Sequence, residues 1–207
     1  EYSFTSPEYG SDRMGVQNTK NGKIFTVAQW YPRMCVYDDV MGWNTLPYIG
    51  ASEFYLEYGH ISANITVPAN HYVVASGELL NYKEVYSKEE NNRWEQARNS
   101  DKTVMIRPES EIGKNQASGT KTWKFKIDQT RDFAWASSPA FILDAAKINL
   151  PSGKKSVAIS AYPTESAGEK AWGRSTEYTK AAIEHYSQKW YEYTYPAATN
   201  VAGNEGG

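Results

Sequence analysis

The clearest pattern in the chain is a strict alternation of apolar and polar residues in short segments. In residues 60–67 every second residue is apolar, starting at Ile61, and residues 121–127 repeat the pattern with Trp123 and Phe125 on the apolar side. A period of two is typical of a strand with one face in a core. Further strands are predicted over residues 23–30, 71–76, 132–137, 141–149 and 155–162. Strands joined by turns, without alternating helices, predict a mainly β chain folded as an antiparallel β-sandwich.

The period changes near residue 165. Residues 166–190 are predicted to form one amphipathic helix, with Ser175 as a plausible cap and a turn-forming tail after it. The apolar stripe of this helix consists of Thr179, Ile183, Tyr186 and Trp190. One helix cannot bury its own stripe. We therefore predict a sandwich domain over residues 1–165, with a loosely held segment at 1–22, and the first helix and turn of a truncated second domain over 166–207.

A charged stretch at residues 87–99 interrupts the series of strands. Ser87 is followed three residues later by Glu90, which is the spacing of a capping box. This spacing predicts a short surface helix or a solvated loop insertion.

Charge and composition exclude several classes of partner and of structural feature. The formal net charge is -2 and no long run of like charges occurs. Nucleic acid and anionic membranes require a basic face, so neither is expected as the main partner. No apolar run is long enough for a transmembrane helix. Cys35 is the only cysteine, so an intramolecular disulfide and a cysteine-based zinc site are both excluded.

The residues that carry common catalytic chemistry do not form a local motif. His60, His71 and His185 have no helical i, i+4 spacing, and the sequence has no H-E-x-x-H, no G-x-S-x-G and no phosphate-binding loop. Glu184 and His185 are neighbours on a predicted helix and point about 100° apart. From its residues alone, the chain is predicted to be a binding or scaffolding domain, with no catalytic residue and no metal ligand of its own.

Four stretches, taken in order, resemble one family. They are AQWYPRMCVYDD with GWN at residues 28–44, EFYLEYG with ITVPA at 53–69, DFAWAS at 132–137, and the helix with its Tyr195-Pro196 turn. Together they resemble the zinc aminopeptidases related to aminopeptidase N, in a bacterial branch in which the first stretch reads QWYP.

The resemblance implies an amino-terminal sandwich that packs against a thermolysin-like catalytic domain. In that family the catalytic domain carries H-E-x-x-H, the zinc ion and a G-x-M-E-N loop; the zinc ligands and the Met and Glu of the loop would lie beyond this chain. The implied partners are the missing catalytic domain and, in the intact protein, peptide substrates. The chain itself would hold no cofactor and would be inactive, while the intact protein would hold zinc.

Three residues are implied to lie on the substrate side. Gln29 matches a Gln or Glu of the family that reaches the amino terminus of the substrate, although the interval from this Gln to the following Arg is shorter here than in the common pattern. A buried structural amide is the alternative for Gln29. Gly206 and Gly207 match the first two positions of the G-x-M-E-N loop. The bacterial branch implies a periplasmic or otherwise extracytoplasmic protein, and the single cysteine also fits a cytoplasmic one.

A different class of function is left open by the composition. Aromatic residues make up 14% of the chain, and aromatic side chains dominate many binding surfaces. A stand-alone carbohydrate- or protein-binding β-sandwich is therefore the alternative to the aminopeptidase hypothesis.

Overall fold

The structure is a computed structural model that describes residues 1–8, 13–46, 55–114 and 117–203. These residues form a mainly β fold with three α-helices. The strands are β1 Met14–Thr19, β2 Gly22–Val27, β3 Tyr37–Asp38, β4 Gly42–Trp43, β5 Gly59–Pro68, β6 Tyr72–Ala75, β7 Glu78–Leu79, β8 Val104–Arg107, β9 Thr120–Thr130, β10 Trp135–Ser138, β11 Ile142–Asn149, β12 Lys155–Tyr162 and β13 Ala197–Val201. The helices are α1 Tyr82–Val85, α2 Lys88–Ala97 and α3 Ser175–Lys189.

Three larger sheets surround one hydrophobic core. Their strand orders are β1-β2-β10-β6, β5-β9-β7 and β13-β12-β11-β8, and β3 pairs with β4 in a separate hairpin. Ile24, Trp123 and Leu143, one from each sheet, are fully buried in the same cluster. This arrangement confirms the predicted mainly β, sandwich-like fold class.

The alternating segments form the central pair of one sheet. β5 and β9 pair in antiparallel register, with Ile65 opposite Trp123 and Ala63 opposite Phe125. These residues face the core, whereas Asn64 and its polar neighbours are exposed. The predicted phase of both strands is therefore confirmed.

The charged stretch forms helix α2, which begins with the predicted capping box. The Ser87 hydroxyl accepts from the Glu90 backbone N–H at 3.2 Å, and the Ser87 N–H donates to the Glu90 carboxylate at 2.7 Å. Trp94 and Ala97 of the helix are buried in the core. The helix therefore covers the sandwich rather than standing away from it.

Two predicted loose segments are strands instead. Residues 1–22 were expected to be loosely held, but β1 lies within them and forms a hairpin with β2. The tail after Tyr195 was expected to turn, but β13 pairs with β12 in parallel. The alternation in residues 14–19 is broken by Gly15 and Asn18, and β13 is rich in alanine, so neither segment carries a strong strand pattern.

Helix α3 is shorter than predicted, and only part of its predicted stripe faces the sheet. Two 3₁₀ turns, Thr164–Ser166 and Trp172–Arg174, precede it, and Ser175 is the first helical residue rather than the cap. Of the predicted stripe, Thr179 is half-buried and Ile183 packs against a small buried cluster of the sheet, whereas Tyr186 and Trp190 are 53% and 75% exposed.

The most deeply buried side chains of α3 are polar because the sheet beneath the helix offers polar partners. Thr176 and Ser187 are its buried residues. The Thr176 hydroxyl donates to the Asp144 carboxylate of β11 at 2.5 Å. Helix α3 and β13 are thus joined to the sheet of β11 and β12. The domain boundary near residue 165 and the missing catalytic domain stay predictions. In the described ranges, no helix has the length and apolar character needed to cross a membrane.

Candidate functional site

Gln29 lies two residues after the end of β2, on a segment that the sandwich holds in place. Its backbone φ is 53°, in the left-handed region. A non-glycine residue in this region costs on the order of 1–3 kcal/mol, and such residues concentrate where the surrounding structure fixes them at functional sites. The conformation therefore marks Gln29 as a position to examine, independently of any resemblance.

Two contacts fix the segment that follows Gln29. The Trp30 indole N–H donates to the Phe133 carbonyl at 3.0 Å, and the Arg33 guanidinium pairs with the Asp132 carboxylate at 2.6 Å. Asp132 is itself held, because its other carboxylate oxygen accepts from the Phe133 N–H at 2.8 Å. Asp132 and Phe133, which precede β10, thus hold the segment on both sides of Tyr31.

Aromatic rings fill the space between this segment and β10. The Trp30 ring meets the Trp135 ring edge to face, with centroids 6.4 Å apart, and also contacts Tyr31. Burial, followed by the nearby Asp132 carboxylate, raises the pKa of the Tyr31 phenol. Tyr31 is therefore a neutral hydrogen-bonding group here at physiological pH.

A groove of about 450 Å³ runs beside this segment, between the β2-β10-β6 sheet and the tail strand β13. Its lining includes Val27, Ala28, Ala75, Trp135, Tyr195 and Thr199. The buried indole N–H of Trp135 has no hydrogen-bond partner in the part of the chain that the structure describes. The groove therefore combines apolar walls with polar groups, as ligand sites commonly do.

The tail closes one side of the groove through three contacts. The Tyr195 hydroxyl donates to the Gln129 carbonyl at 3.0 Å, and the Thr199 hydroxyl donates to the Ala75 carbonyl at 3.4 Å. Gly203 approaches β2 so closely that an added Cβ would lie 2.2 Å from Cγ2 of Thr26. Only glycine fits there, because it has no side chain.

Of the three predicted substrate-side residues, the structure describes only Gln29. Gln29 is half-buried, and its side chain has no hydrogen-bond partner among the described residues. Its oxygen can therefore accept a hydrogen bond from a ligand, and both roles given for Gln29, the substrate contact and the buried structural amide, stay predictions. Gly206 and Gly207 lie outside the described residues.

The histidines do not gather into a metal site. His60 contacts Asp128 at 2.8 Å on the exposed face of its sheet, and His71 contacts the buried Ser137 hydroxyl at 2.7 Å. Within residues 1–8, 13–46, 55–114 and 117–203, no group of three or more His, Cys, Asp or Glu side chains could hold a metal. The described residues therefore do not fit a zinc ion, and we assign them no step of zinc chemistry.

Several features around the Gln29 segment carried no signal in the sequence. Gln129 shares the left-handed φ of 53° with Gln29, yet it lies at the end of an ordinary alternating strand. The pairing of Arg33 with Asp132 joins residues far apart in the chain. A local pattern cannot reveal either feature, since both depend on which segments the fold brings together.

Comparison with known proteins does not identify the family. No family model matches the chain, and a search of curated proteins finds no match.

Proposed function

We propose that this chain is the amino-terminal, substrate-side part of a zinc-dependent aminopeptidase and is inactive without its catalytic domain. One observation supports this most. Three of the four stretches that resemble the family, although far apart in the sequence, each contribute to the lining of one groove: Ala28, which precedes Gln29, Trp135 of the DFAWAS stretch, and Tyr195 of the Tyr195-Pro196 turn. Segments that converge in this way can act together on one ligand.

In this proposal Gln29 contacts the amino terminus of a peptide substrate. A side-chain amide oxygen can accept a hydrogen bond from an ammonium group, and the Gln29 amide has no partner among the described residues. Because the backbone is already fixed, only the side chain of Gln29 would lose conformational freedom on binding. The zinc ion, its ligands and the base would come from the catalytic domain.

The exposed aromatic face of α3 agrees with such a neighbour. Tyr178, Tyr186, Trp190 and Tyr191 are exposed along the helix and just after it, and contiguous apolar patches commonly mark contact surfaces. We assign this face to contact with the catalytic domain. A periplasmic or other extracytoplasmic location in a bacterium rests on the resemblance alone.

The first test is the gene itself. Codons for Met-Glu after Gly207, followed some tens of codons later by H-E-x-x-H, are expected. A stop codon at this position would end the proposal. The isolated 207-residue chain should not hydrolyse aminoacyl-anilide substrates with or without added zinc, and activity of the chain alone would equally contradict it.

A variant pair tests the role of Gln29 in the full-length protein. Gln29→Met removes the acceptor, and the lost hydrogen bond to a charged group should raise KM roughly tenfold with little change in kcat. Gln129→Met is the matched control, because Gln129 has the same backbone conformation and should leave KM unchanged. Equal effects of both variants would remove Gln29 from the substrate site.

One observation favours a second candidate, a carbohydrate-binding module. Tyr37 and Trp43 are exposed on the β3–β4 hairpin, with ring centroids 5.2 Å apart. Their planes cross at 71°, so they do not form one flat platform for a sugar ring, and we rank this function second. Quenching of tryptophan fluorescence by oligosaccharides, lost in Trp43→Ala, would favour it.

A further inference from the structure

A second pocket lies on another part of the sandwich, next to the start of α2. It has a volume of about 410 Å³, and its lining includes Tyr72, Tyr86, Arg107, Lys114 and Lys121. Ser87, the N-cap of α2, also lines it. The positive end of the helix dipole therefore lies at the same pocket as three cationic side chains.

Arg107 is the central group of this pocket and is only 2% exposed. Its Nη1 donates to the carbonyls of Pro139 at 2.9 Å and Phe141 at 3.0 Å, and its guanidinium lies 4.0 Å from the centre of the Tyr72 ring. A guanidinium has five N–H donors. Across the described residues, Nε and Nη2 have no acceptor, and no carboxylate lies within 4.0 Å of the group.

The acidic residues at the pocket are already engaged elsewhere. The Glu90 carboxylate accepts from the Tyr72 hydroxyl at 2.5 Å and from the start of α2. Glu111 pairs with Arg93 at 2.6 Å, and Glu84 accepts from Asn81 at 2.9 Å. These carboxylates therefore make no direct contact with Arg107, although Glu90 and Glu111 partly oppose the lowering of its pKa by burial.

Lys121 differs from the other lysines of β9. Lys124 and Lys126 are exposed and lie within 4.0 Å of Glu84 and Asp128, respectively. Lys121 is half-buried, donates to the Val85 carbonyl at 2.8 Å, and has no carboxylate within 4.0 Å in the described ranges. Burial lowers the pKa of its ammonium, an effect that Glu90 partly opposes. Lys114 likewise has no ion pair with a described residue.

We propose that this pocket binds the oxyanion group, carboxylate or phosphate, of a small molecule. A buried charge is strongly unfavourable unless it is paired. An oxyanion in the pocket would pair with its cations, Arg107 and Lys121. The Nε and Nη2 of Arg107, which have no acceptor among the described residues, offer the bidentate geometry that these groups prefer. The pocket volume is in the range of small-molecule sites. The proposal does not depend on the aminopeptidase hypothesis.

The test is an NMR titration of the 207-residue chain in Tris buffer with sodium phosphate, sodium acetate or sodium chloride at constant ionic strength. Phosphate or acetate should cause saturable shifts of the backbone amides of Tyr86, Ser87 and Lys121, and chloride should not. Saturation by phosphate alone would assign a phosphoryl ligand, and saturation by acetate would assign a carboxylate. Equal, non-saturating shifts with all three salts would overturn the proposal.

Variants decide whether the cations form the site. Lys121→Met should weaken the affinity for the saturating anion at least about tenfold, because a hydrogen bond to a charged group is lost. Lys126→Met, on the opposite face of the same strand, should leave the affinity unchanged. Arg107→Lys keeps the charge but loses the bidentate donor geometry of the guanidinium, and it should also weaken binding if the variant folds. Unchanged affinity in Lys121→Met would refute the site even if the Arg107 variant does not fold.

Discussion

Replacing Asp144 tests how helix α3 is attached to the sandwich. Asp144 of β11 is 1% exposed, and its carboxylate accepts from the Tyr162 hydroxyl at 2.6 Å and the Thr176 hydroxyl of α3 at 2.5 Å. Burial raises its pKa, and hydrogen bonds from Thr176 and Tyr162 partly oppose this shift. A buried carboxylate held by neutral hydroxyls is thus the main polar link between helix and sheet.

The expected size of the effect follows from the groups that the substitution leaves behind. Asp144→Ala deprives the Tyr162 hydroxyl of its partner, and an unsatisfied buried polar group costs about 1–3 kcal/mol. Thr176 is affected less because its hydroxyl keeps a contact to the Ser160 hydroxyl at 2.7 Å. With the small cavity added, we expect the free energy of unfolding to fall by about 2–4 kcal/mol. Urea denaturation followed by circular dichroism measures this change.

The pH dependence has a definite sign. The folded-state pKa of Asp144 is raised above the ordinary value of 3.8. Between these two pKa values the folded state therefore binds more protons than the unfolded state. The contribution of this group to stability is fully present below pH 3.8 and is lost as pH rises through the folded-state pKa. Asp144→Asn, which keeps the shape and cannot ionise, should therefore gain stability relative to wild type as pH increases through that window.

Asp128 provides a control with the opposite sign. Its pKa is lowered by hydrogen bonds from His60 and Lys126, so its stabilising contribution is present above the unfolded pKa and is lost as pH falls. Asp128→Asn should thus lose stability relative to wild type as pH rises from the acid range. If Asp144→Asn follows the same direction as Asp128→Asn, or if Asp144→Ala is neutral, the account of the attachment of α3 is wrong.

Two further substitutions test the tail and the capping box. Gly203→Ala should loosen the tail because its Cβ would collide with Cγ2 of Thr26, so proteolysis after residue 190 should become faster. Thr26→Ser lacks that methyl group and should restore resistance to proteolysis in the double variant. A double variant that is cleaved as fast as Gly203→Ala would show that this contact is not the cause. Ser87→Ala should cost about 1 kcal/mol of stability through loss of the cap on α2, measured by thermal unfolding, whereas the same change at the exposed Ser62 should have little effect.

The strictly alternating strands were predictable because one face of each strand meets the core and the other meets solvent. β5 and β9 have one face in the core and one in solvent, so a period of two is imposed on their sequences. The capping box was predictable for a similar reason, since its geometry links only residues three apart. Both features depend on residues close together in the chain, so both can be recognised in the sequence.

The parts that sequence did not predict depend on distant partners. The two most deeply buried side chains of α3 are polar, and Asp144 and Ser160 lie beneath one of them, Thr176. The predicted apolar stripe was therefore right for Ile183, which packs against the sheet, and wrong for Tyr186 and Trp190, which are exposed. Strand β13 exists because β12 offers an edge for it. For the candidate site, Gln29 was selected from the QWYP stretch and its role stays a prediction, whereas its left-handed φ and the ion pair between Arg33 and Asp132 could not be predicted from the sequence.

The parallel pairing of β12 and β13 also has a consequence for how the chain reaches its folded state. Val157 and its partner Ala197 are far apart in the chain, so a long loop must close before the pairing gains any hydrogen bond. Until then β12, with Val157, Ala158 and Ile159, is an unprotected strand edge, and such edges recruit other chains. The tail therefore covers this edge late in folding and protects the chain from self-association. Chains truncated before Ala197 would leave the edge of β12 exposed and should aggregate more readily than the full chain.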